Sequence, residues 1–236
     1  MSDAFLREEM LLGAAAMQRL AQAHVIVFGI GGVGSYVAEG LARAGVGALT
    51  LVDNDTVGRT NLNRQLCALH STIGQYKSDV MARRILDINP DCRVTSMPEL
   101  YNDERKERFF SQRYDYIVDA IDLVSCKLSL IQTALERNIP IVSAMGTGNK
   151  LDPTQFCITD IAKTSGCHLA RIMRRELRAR GIEHHTVLYS QEVPQKPDEL
   201  EAPPPGRRTI PGSVSWVPSC AGLMLAGYVV QELIKV

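Results

Sequence analysis

Carboxylates and cations that could handle a phosphorylated ligand are concentrated in the first half of this 236-residue sequence. Asp53 and Asp55 follow the apolar segment "ALTLV", and Asp122 follows "YIVDAI". Arg64 and Lys77 lie between these acids and would suit the charge of a β- or γ-phosphate group. Asp55 or Asp122 could hold Mg²⁺, which takes carboxylate and phosphate oxygens as ligands. The pattern therefore predicts a site for a nucleoside triphosphate.

A glycine-rich turn precedes the acids in the stretch "VIVFGIGGVG". Gly29, Gly31 and Gly34, with Gly32 among them, form G-x-G-x-x-G between a strand pattern and a helical pattern. Such glycines bring backbone N–H groups close to phosphate, although they also allow a helix to pack closely on a strand. Asp53 comes 19 residues after Gly34, where a carboxylate commonly binds ribose hydroxyls. Taken alone, the turn and Asp53 indicate a nicotinamide-dependent oxidoreductase.

The two cations favour a triphosphate over a dinucleotide. Hydride transfer needs no clamp for a triphosphate, so an oxidoreductase has no use for Arg64. A simpler alternative is that Arg64 forms an ion pair with Asp55 and that Lys77 is a solvated helix residue. A surface ion pair contributes at most about 1 kcal/mol and would not explain the ordered set.

Strand patterns alternate with helical patterns from residue 24 to residue 146, after one or two amphipathic helices over residues 7–22. This alternation predicts a Rossmann-like α/β fold with a mostly parallel sheet and helices on both faces. We divide the chain into an ATP-binding core, residues 1–150, and an extension on the same domain, residues 151–236. The extension contains a basic helix at about 167–180, a proline-rich loop at about 191–213 and an apolar helix at about 219–234.

Composition narrows the class of protein. With 45% hydrophobic residues, 22% charged residues and a formal net charge of zero, the chain needs a local patch to attract an acidic partner. The first residues lack the apolar core of a signal peptide, and the run "CAGLMLAGYVV" is too short to span a bilayer. Six cysteines form no C-x-x-C pair, which argues against structural zinc and a disulfide scaffold. We therefore expect a cytoplasmic protein.

The ordered motifs resemble the ubiquitin-activating-type (ThiF/MoeB-like) adenylyltransferases, which include the activators of the molybdopterin and thiamine sulfur carriers. The resemblance implies that ATP lies where the strand order reverses, with its ribose on Asp53, its phosphates on Arg64 and Lys77, and Mg²⁺ on Asp122. The matching motifs are Gly29–Gly34, Asp53 with Asp55, Asn61 with Arg64 and Gln65, Gly74 with Lys77, and Asp119 with Asp122.

Arginines on the predicted basic helix could bind the phosphates of a nucleic acid. Residues 163–180 carry six Lys or Arg and one Glu, a local charge of +5. Arg171, Arg174, Arg175 and Arg178 are spaced i, i+3, i+4 and i+7, and therefore share one helix face. The same spacing is also typical of a solvated stripe on an amphipathic helix.

The segments "TDIAKT", "VLYSQEVP" and "GSVSWVPSCAGLMLAG" resemble the branch of tRNA threonylcarbamoyladenosine dehydratases. This resemblance runs through nearly the whole chain. It implies that ATP adenylates the threonyl carboxylate of a modified adenosine beside the anticodon, after which the carbamoyl group displaces AMP to close a ring. The implied cofactors are ATP and Mg²⁺, and the implied partner is the anticodon arm of tRNA.

Other functions remain open from the sequence. The core would also suit an enzyme that activates the carboxyl terminus of a ubiquitin-like sulfur carrier, although such enzymes usually have four zinc-binding cysteines. A nicotinamide-dependent oxidoreductase and a non-catalytic RNA-binding module are further alternatives. A sulfur- or electron-relay partner cannot be identified from the sequence.

Three other features have two interpretations each. Arg7 in "REEMLLG" resembles the family arginine that reaches into the partner's site, which implies a homodimer, but it could simply be solvated. Cys220 could form a thioester, as in relatives that transfer acyl groups, or could be a small packing residue. The pair His184–His185 could ligate a metal, but it lacks further ligands at suitable spacing.

Overall fold

The computed structural model describes residues 3–198, 200 and 210–235, and seven strands of this part of the chain form one sheet. The strands are β1 His24–Phe28, β2 Ala48–Val52, β3 Arg93–Met97, β4 Tyr116–Asp119, β5 Ile141–Ala144, β6 Phe156–Asp160 and β7 Thr186–Ser190. The helices are α1 Leu6–Leu12, α2 Ala14–Gln22, α3 Gly34–Arg43, α4 Lys77–Ile88, α5 Lys106–Phe109, α6 Val124–Glu136, α7 His168–Arg178 and α8 Trp216–Ile234.

The strand order is β3-β2-β1-β4-β5-β7-β6, and the pairs are parallel except for β6 with β7. Successive strands move outwards from β1 on one side and from β4 on the other, so the order reverses between these two strands. Phe28 at the end of β1 pairs with both Val52 and Asp119. The turns after β1, β2 and β4 therefore leave the same edge of the sheet next to each other, where open α/β sheets bind ligands.

Helices cover both faces of the sheet, as predicted. Val25 and Val27 of β1 point into a core shared with α2, α3, α4 and α8. Ile26 and Phe28, which alternate with them, point into a second core shared with α5, α6 and α7. A strand that is apolar on both faces is typical of a parallel sheet buried between two layers of helices.

The apolar helix α8 begins earlier than predicted, at Trp216 instead of about residue 219. Pro218 is tolerated because the first N–H groups of a helix have no intrahelical acceptor. With 19 residues, α8 is long and apolar enough to cross a membrane by length and composition, which corrects the inference from its central run. Its packing is that of a core helix. Ala226 of α8 lies so close to α3 that a Cβ added to Gly40 would be only 2.6 Å from the Cβ of Ala226.

The extension joins the sheet through β6 and β7, beyond β5. The basic helix α7 coincides with its predicted position, and Cys167 caps it by accepting a hydrogen bond from Ala170 N at 3.5 Å. The described parts of the proline-rich segment, residues 191–198, 200 and 210–213, contain no helix or strand, as predicted. Residues 199 and 201–209, which belong to the same predicted loop, lie outside the described residues.

Candidate active site

A cavity of about 650 Å³ lies at the carboxyl edge of the sheet, where the strand order reverses. One part of its lining contains nearly all the residues predicted to bind nucleotide or metal, namely Gly29, Gly31, Gly32, Asp53, Asp55, Asn61, Arg64, Gln65, Lys77 and Asp122. The remainder of the lining includes residues 144–148, Leu169 of α7 and residues 211–213. Residues from distant parts of the sequence thus meet at one cavity.

The glycine turn places the amino end of α3 at this cavity. Gly29 has φ +85°, and a Cβ there would lie 2.6 Å from Ala120 O. Gly34 does not line the cavity, but a Cβ on it would lie 1.8 Å from Gly29 O. Close packing of α3 on the turn brings its N–H groups to the cavity, so the turn has the geometry that both proposed roles of the glycines require.

Backbone N–H groups hold Asp53 in one orientation. Its Oδ2 accepts a hydrogen bond from Ile30 N at 2.6 Å, and its Oδ1 accepts one from Asp55 N at 2.8 Å. Burial raises the pKa of the Asp53 carboxyl, and the nearby charge of Lys77 opposes that change. Asp53 thereby links the glycine turn to the end of β2 and presents a fixed acceptor to the cavity.

Lys77, rather than Arg64, is the cation paired with Asp55. The Lys77 ammonium lies 2.8 Å from Asp55 Oδ2, and the lysine side chain is 7% exposed. Arg64 instead donates from Nη1 to Thr60 O at 2.7 Å and to Asn63 Oδ1 at 2.9 Å. Partial burial lowers the pKa of Arg64. The simpler alternative for these two cations, a surface pair and a solvated lysine, is therefore wrong.

Asn61 and Gln65 shape the loop that carries Arg64. Asn61 Oδ1 accepts a hydrogen bond from Gly58 N at 3.0 Å, and Asn61 O accepts from the backbone N of both Arg64 and Gln65 at 3.0 Å. Gln65 is buried, and its side chain lies next to Gly31 of the glycine turn. These contacts fix the Arg64 backbone relative to the amino end of α3.

A buried ion pair supports the Asp119–Asp122 turn. The Lys127 ammonium lies 2.8 Å from Asp119 Oδ2 and donates a hydrogen bond to Ile121 O at 3.0 Å. Both charged side chains are fully buried. Asp122, three residues after Asp119, is exposed at the rim of the cavity. Sequence reasoning missed Lys127, whose signal is a single charge within the apolar helix pattern "SCKLSLIQTAL".

The described residues contain no cluster of three or more His, Cys, Asp or Glu side chains suited to a metal. His184 is exposed beside Asp160, whereas His185 is buried with Nε2 2.8 Å from Ser143 Oγ. The two imidazoles therefore have separate partners. Cys220 is half-buried on α8 and does not line the cavity.

The predicted arginines differ in their environment. Arg7 is exposed on α1 and does not line the cavity of its own chain. On α7, Arg174 donates to Thr164 O at 2.8 Å and to Thr164 Oγ1 at 2.6 Å. Arg171 contacts the imidazole of His168, Arg175 pairs with Glu176, and the side chain of Arg178 has no hydrogen bond or ion pair with any described residue. The solvent-facing arginines are thus those at 171, 175 and 178.

Comparison with known proteins shows which family has this arrangement. Residues 5–236 match the ThiF family, which is nearly the full length of the chain. The chain belongs to the ThiF family. A tRNA threonylcarbamoyladenosine dehydratase of Bacillus subtilis is 43% identical over 240 residues, covering 98% of this chain and 94% of the relative. The corresponding protein of Escherichia coli is 46% identical over 169 residues, covering 72% of this chain and 63% of the relative.

The similarity to a solved structure extends across the whole fold. The crystal structure of the E. coli tRNA N6-threonylcarbamoyladenosine dehydratase in complex with ATP superposes with a TM-score of 0.88 at 37% identity, covering 99% of this chain and 96% of that one. By contrast, an adenylyltransferase and sulfurtransferase of Drosophila virilis is 34% identical over 140 residues, or 59% of this ThiF-family chain. The similarity to the dehydratases therefore includes the extension as well as the core.

Proposed function

We propose that this protein uses ATP to cyclise N6-threonylcarbamoyladenosine in tRNA by adenylating its threonyl carboxylate. The observation that carries the proposal is the alignment of 98% of the chain, extension included, with a tRNA threonylcarbamoyladenosine dehydratase. The cavity supports it, because two cations, a helix amino terminus and a fixed carboxylate converge there as an ATP site requires.

In the first step of this reaction, a threonyl carboxylate oxygen attacks the α-phosphorus and the bond to the β-phosphate breaks, releasing pyrophosphate. Arg64, Lys77 and the amino end of α3 would neutralise the charge on the phosphates, while Asp53 accepts hydrogen bonds from the ribose hydroxyls. Catalysis of this kind depends on positioning and charge stabilisation. The fixed orientation of Asp53 and the buried ammonium of Lys77 meet both needs.

In the second step, the carbamoyl group attacks the activated carbonyl carbon and AMP leaves with the former carboxylate oxygen. The substrate thereby loses the elements of one water molecule, and ATP becomes AMP and pyrophosphate. Ring closure within one substrate requires no covalent enzyme intermediate. The half-buried Cys220, outside the cavity, is accordingly assigned a packing role.

A magnesium ion fits the donors at the cavity. Asp55 and Asp122 both line it, and Mg²⁺ is commonly bound by one or two carboxylates together with substrate phosphates. Such an ion would neutralise part of the charge of the departing pyrophosphate.

We also propose a homodimer in which Arg7 serves the partner's site. The start of α1 lies away from its own cavity, since Phe5 is near Gly45, which precedes the amino end of β2. Helix α8 starts at the cavity, where Pro218 adjoins Gly32, and it spans about 28 Å before ending beside Arg19 of α2. Antiparallel pairing of two α8 helices would therefore carry the α1 of one protomer towards the cavity of its partner.

Exposed apolar side chains support that pairing. On α8, Trp216, Leu223 and Met224 are 49%, 50% and 36% exposed, and they share one side of the helix. On α1, Met10 and Leu11 are 77% and 85% exposed. Exposed apolar surface of this extent on two helices is typical of an interface between subunits.

The arginine face of α7 is proposed to bind the anticodon arm. Leu169 in the first turn of α7 lines the cavity, so the exposed arginines that follow it extend away from the reaction site along the protein surface. Phosphates that flank the modified nucleoside would lie along this face. A tRNA substrate is also consistent with the proposed cytoplasmic location.

The test is incubation of the protein with ATP, Mg²⁺ and tRNA from cells that lack this activity, followed by mass spectrometry of the nucleosides. Loss of one water from threonylcarbamoyladenosine, only when ATP is present, is the expected result. Unchanged tRNA together with ATP–pyrophosphate exchange on a sulfur-carrier carboxyl terminus would overturn the proposal. The 140-residue similarity to an adenylyltransferase and sulfurtransferase makes that carrier the appropriate second substrate to assay.

A further inference from the structure

Asn149 has an unusual backbone conformation next to the cavity. Its φ is +60°, and among the described non-glycine residues only Asn138, with φ 55°, is also positive. Asn138 follows the last turn of α6, where a left-handed residue commonly ends a helix. Asn149 ends no helix, and it directly follows Gly148, which lines the cavity. Its conformation therefore needs a different explanation.

Hydrogen bonds to two distant segments supply that explanation. Asn149 N donates to Gly212 O at 2.8 Å, and Gly212 N donates to Asn149 Oδ1 at 2.6 Å. Asn149 O also accepts a hydrogen bond from Gln195 N at 2.7 Å. The side chain thus completes a reciprocal pair with Gly212, 63 residues away, that a glycine at position 149 could form only in part.

The segment held by Asn149, residues 211–213, forms a wall of the cavity, and we call it the wall segment. It is packed so closely that a Cβ on Gly148 would lie 2.8 Å from Pro211 Cβ. On its other side, Ser213 O accepts a hydrogen bond from Asn63 Nδ2 at 2.9 Å. Asn63 Oδ1 in turn accepts from Arg64 Nη1 at 2.9 Å. The wall segment therefore joins Asn149 to a residue assigned to the phosphates.

We divide the lining of the cavity into the part proposed for the nucleotide and a second region that contains the wall segment. The glycine turn, Asp53 and Lys77 belong to the nucleotide region, whereas residues 144–148, Leu169 and the wall segment form the second region. This second region adjoins α7 through Leu169 and carries mostly small and apolar side chains. An uncharged, flat base that carries an acyl group suits such a surface, with its carboxylate directed at the nucleotide.

We propose that Asn149 is a positioning residue for the acceptor: it holds the wall segment so that the second region receives the acyl-modified purine nucleoside of an RNA. This inference rests on the proposed function and assigns part of the same cavity to the acceptor. Asn149 acts through Gly212 and the wall segment and does not take part in the chemistry.

The test compares steady-state kinetics of three variants on threonylcarbamoyladenosine-containing tRNA. Asn149→Gly keeps the left-handed backbone but removes the side-chain acceptor, so the KM for tRNA should rise about fivefold, as expected for one lost hydrogen bond. The KM for ATP should change less than about twofold, because Asn149 reaches Arg64 only indirectly, through Ser213 and Asn63. Asn149→Asp keeps an acceptor and tolerates the backbone, so it should stay within about twofold of the wild type in 0.2 M salt.

Asn138→Gly is the matched control, because it makes the same substitution at a similar positive φ outside the cavity. It should leave the KM for tRNA unchanged. Equal KM values for Asn149→Gly and Asn138→Gly, or an equal loss in Asn149→Asp and Asn149→Gly, would overturn the positioning role alone. A wild-type protein that fails to convert the tRNA would overturn the proposed function and the acceptor named here with it.

Discussion

The ammonium of Lys77 and the carboxylate of Asp55 lie 2.8 Å apart, yet only 7% of the lysine side chain is exposed while 63% of the aspartate side chain is. The cation therefore sits in the wall of the cavity and its partner sits at the surface. If ATP binds as proposed, a phosphate oxygen would meet a cation that is largely removed from water, where attraction between charges is stronger. A phosphate could then replace the exposed Asp55 as the partner of Lys77.

Lys77→Ala should lower the rate of ATP-dependent pyrophosphate release by roughly 100-fold or more, because it removes a preorganised cation from the developing negative charge. The free energy of unfolding should change by at most about 1 kcal/mol, since the carboxylate left behind is largely solvated. Pyrophosphate release and urea unfolding measure the two effects. Lys106→Ala, which removes a cation from the surface pair with Asp103, is the control and should leave pyrophosphate release unchanged.

Arg7→Ala and Lys77→Ala should each inactivate the proposed homodimer, but a mixture of the two variants should regain activity. In a mixed dimer, the protomer with Arg7→Ala keeps its own Lys77 and receives Arg7 from its partner, so one of the two sites is complete. Random exchange gives half mixed dimers, and the expected activity is about a quarter of that of the wild type. Activity before and after mixing, with subunit exchange followed by native mass spectrometry, measures this. No recovery despite exchange would contradict the role of Arg7 in the partner's site.

The arginines of α7 that have no strong protein partner should contribute most to tRNA affinity. Replacing Arg171 and Arg178 together with Gln should make the slope of log K against log salt shallower by roughly 1.5 to 2, one phosphate contact for each arginine. Arg174→Gln should instead lower stability, because it breaks the two hydrogen bonds to Thr164. Filter binding between 50 and 200 mM salt measures the slope.

Arg108→Gln is the control for the salt dependence. The side chain of Arg108 is 65% exposed, but it lies outside α7 and forms a surface ion pair with Glu99. Its slope should match that of the wild type. An unchanged slope in the Arg171 and Arg178 double variant would identify the α7 face as a solvated stripe.

Sequence reasoning succeeded where function depends on local pattern and on the geometry of parallel sheets. The strand patterns before Gly29, Asp53 and Asp122 predict three strand ends at one edge of a sheet, and the structure places the ends of β1, β2 and β4 together. The family motifs then predicted that Arg64 and Lys77 bind the phosphates. The loop of Arg64 and the helix of Lys77 return to the same edge of the sheet. These residues share a cavity because the βαβ connections require it.

The remainder depended on contacts that no local pattern encodes. The bond between Asn149 and Gly212 joins segments 63 residues apart, and the direction of β6 is set by its pairing with β7. Lys127 is a charged residue in an apolar helix, and only the position of Asp119 explains its burial. Helix α8 starts at Trp216 rather than at about residue 219, and its first turn tolerates Pro218 because the first N–H groups of a helix have no intrahelical acceptor.

His185 offers a test of the buried polar groups beneath the cavity. Burial lowers the pKa of its imidazole to about 4, with the nearby charges of Asp119 and Lys127 acting in opposite directions. Its Nε2 lies 2.8 Å from Ser143 Oγ of β5, next to Asp119 in the sheet register. The folded protein therefore keeps this imidazole neutral at pH values where an unfolded chain, with a pKa near 6.5, is protonated.

Stability should consequently fall as the pH drops from about 6.5 to about 4, because across this range the unfolded chain binds a proton at position 185 and the folded protein does not. His185→Gln removes this proton uptake, so the variant should not share this loss of stability. Between pH 7.5 and pH 4.5 the wild type should lose up to roughly 3 kcal/mol more unfolding free energy than the variant. Urea titrations at both pH values measure it. If the His185→Gln curve kept the same slope as the wild type, the acid sensitivity would belong to other groups.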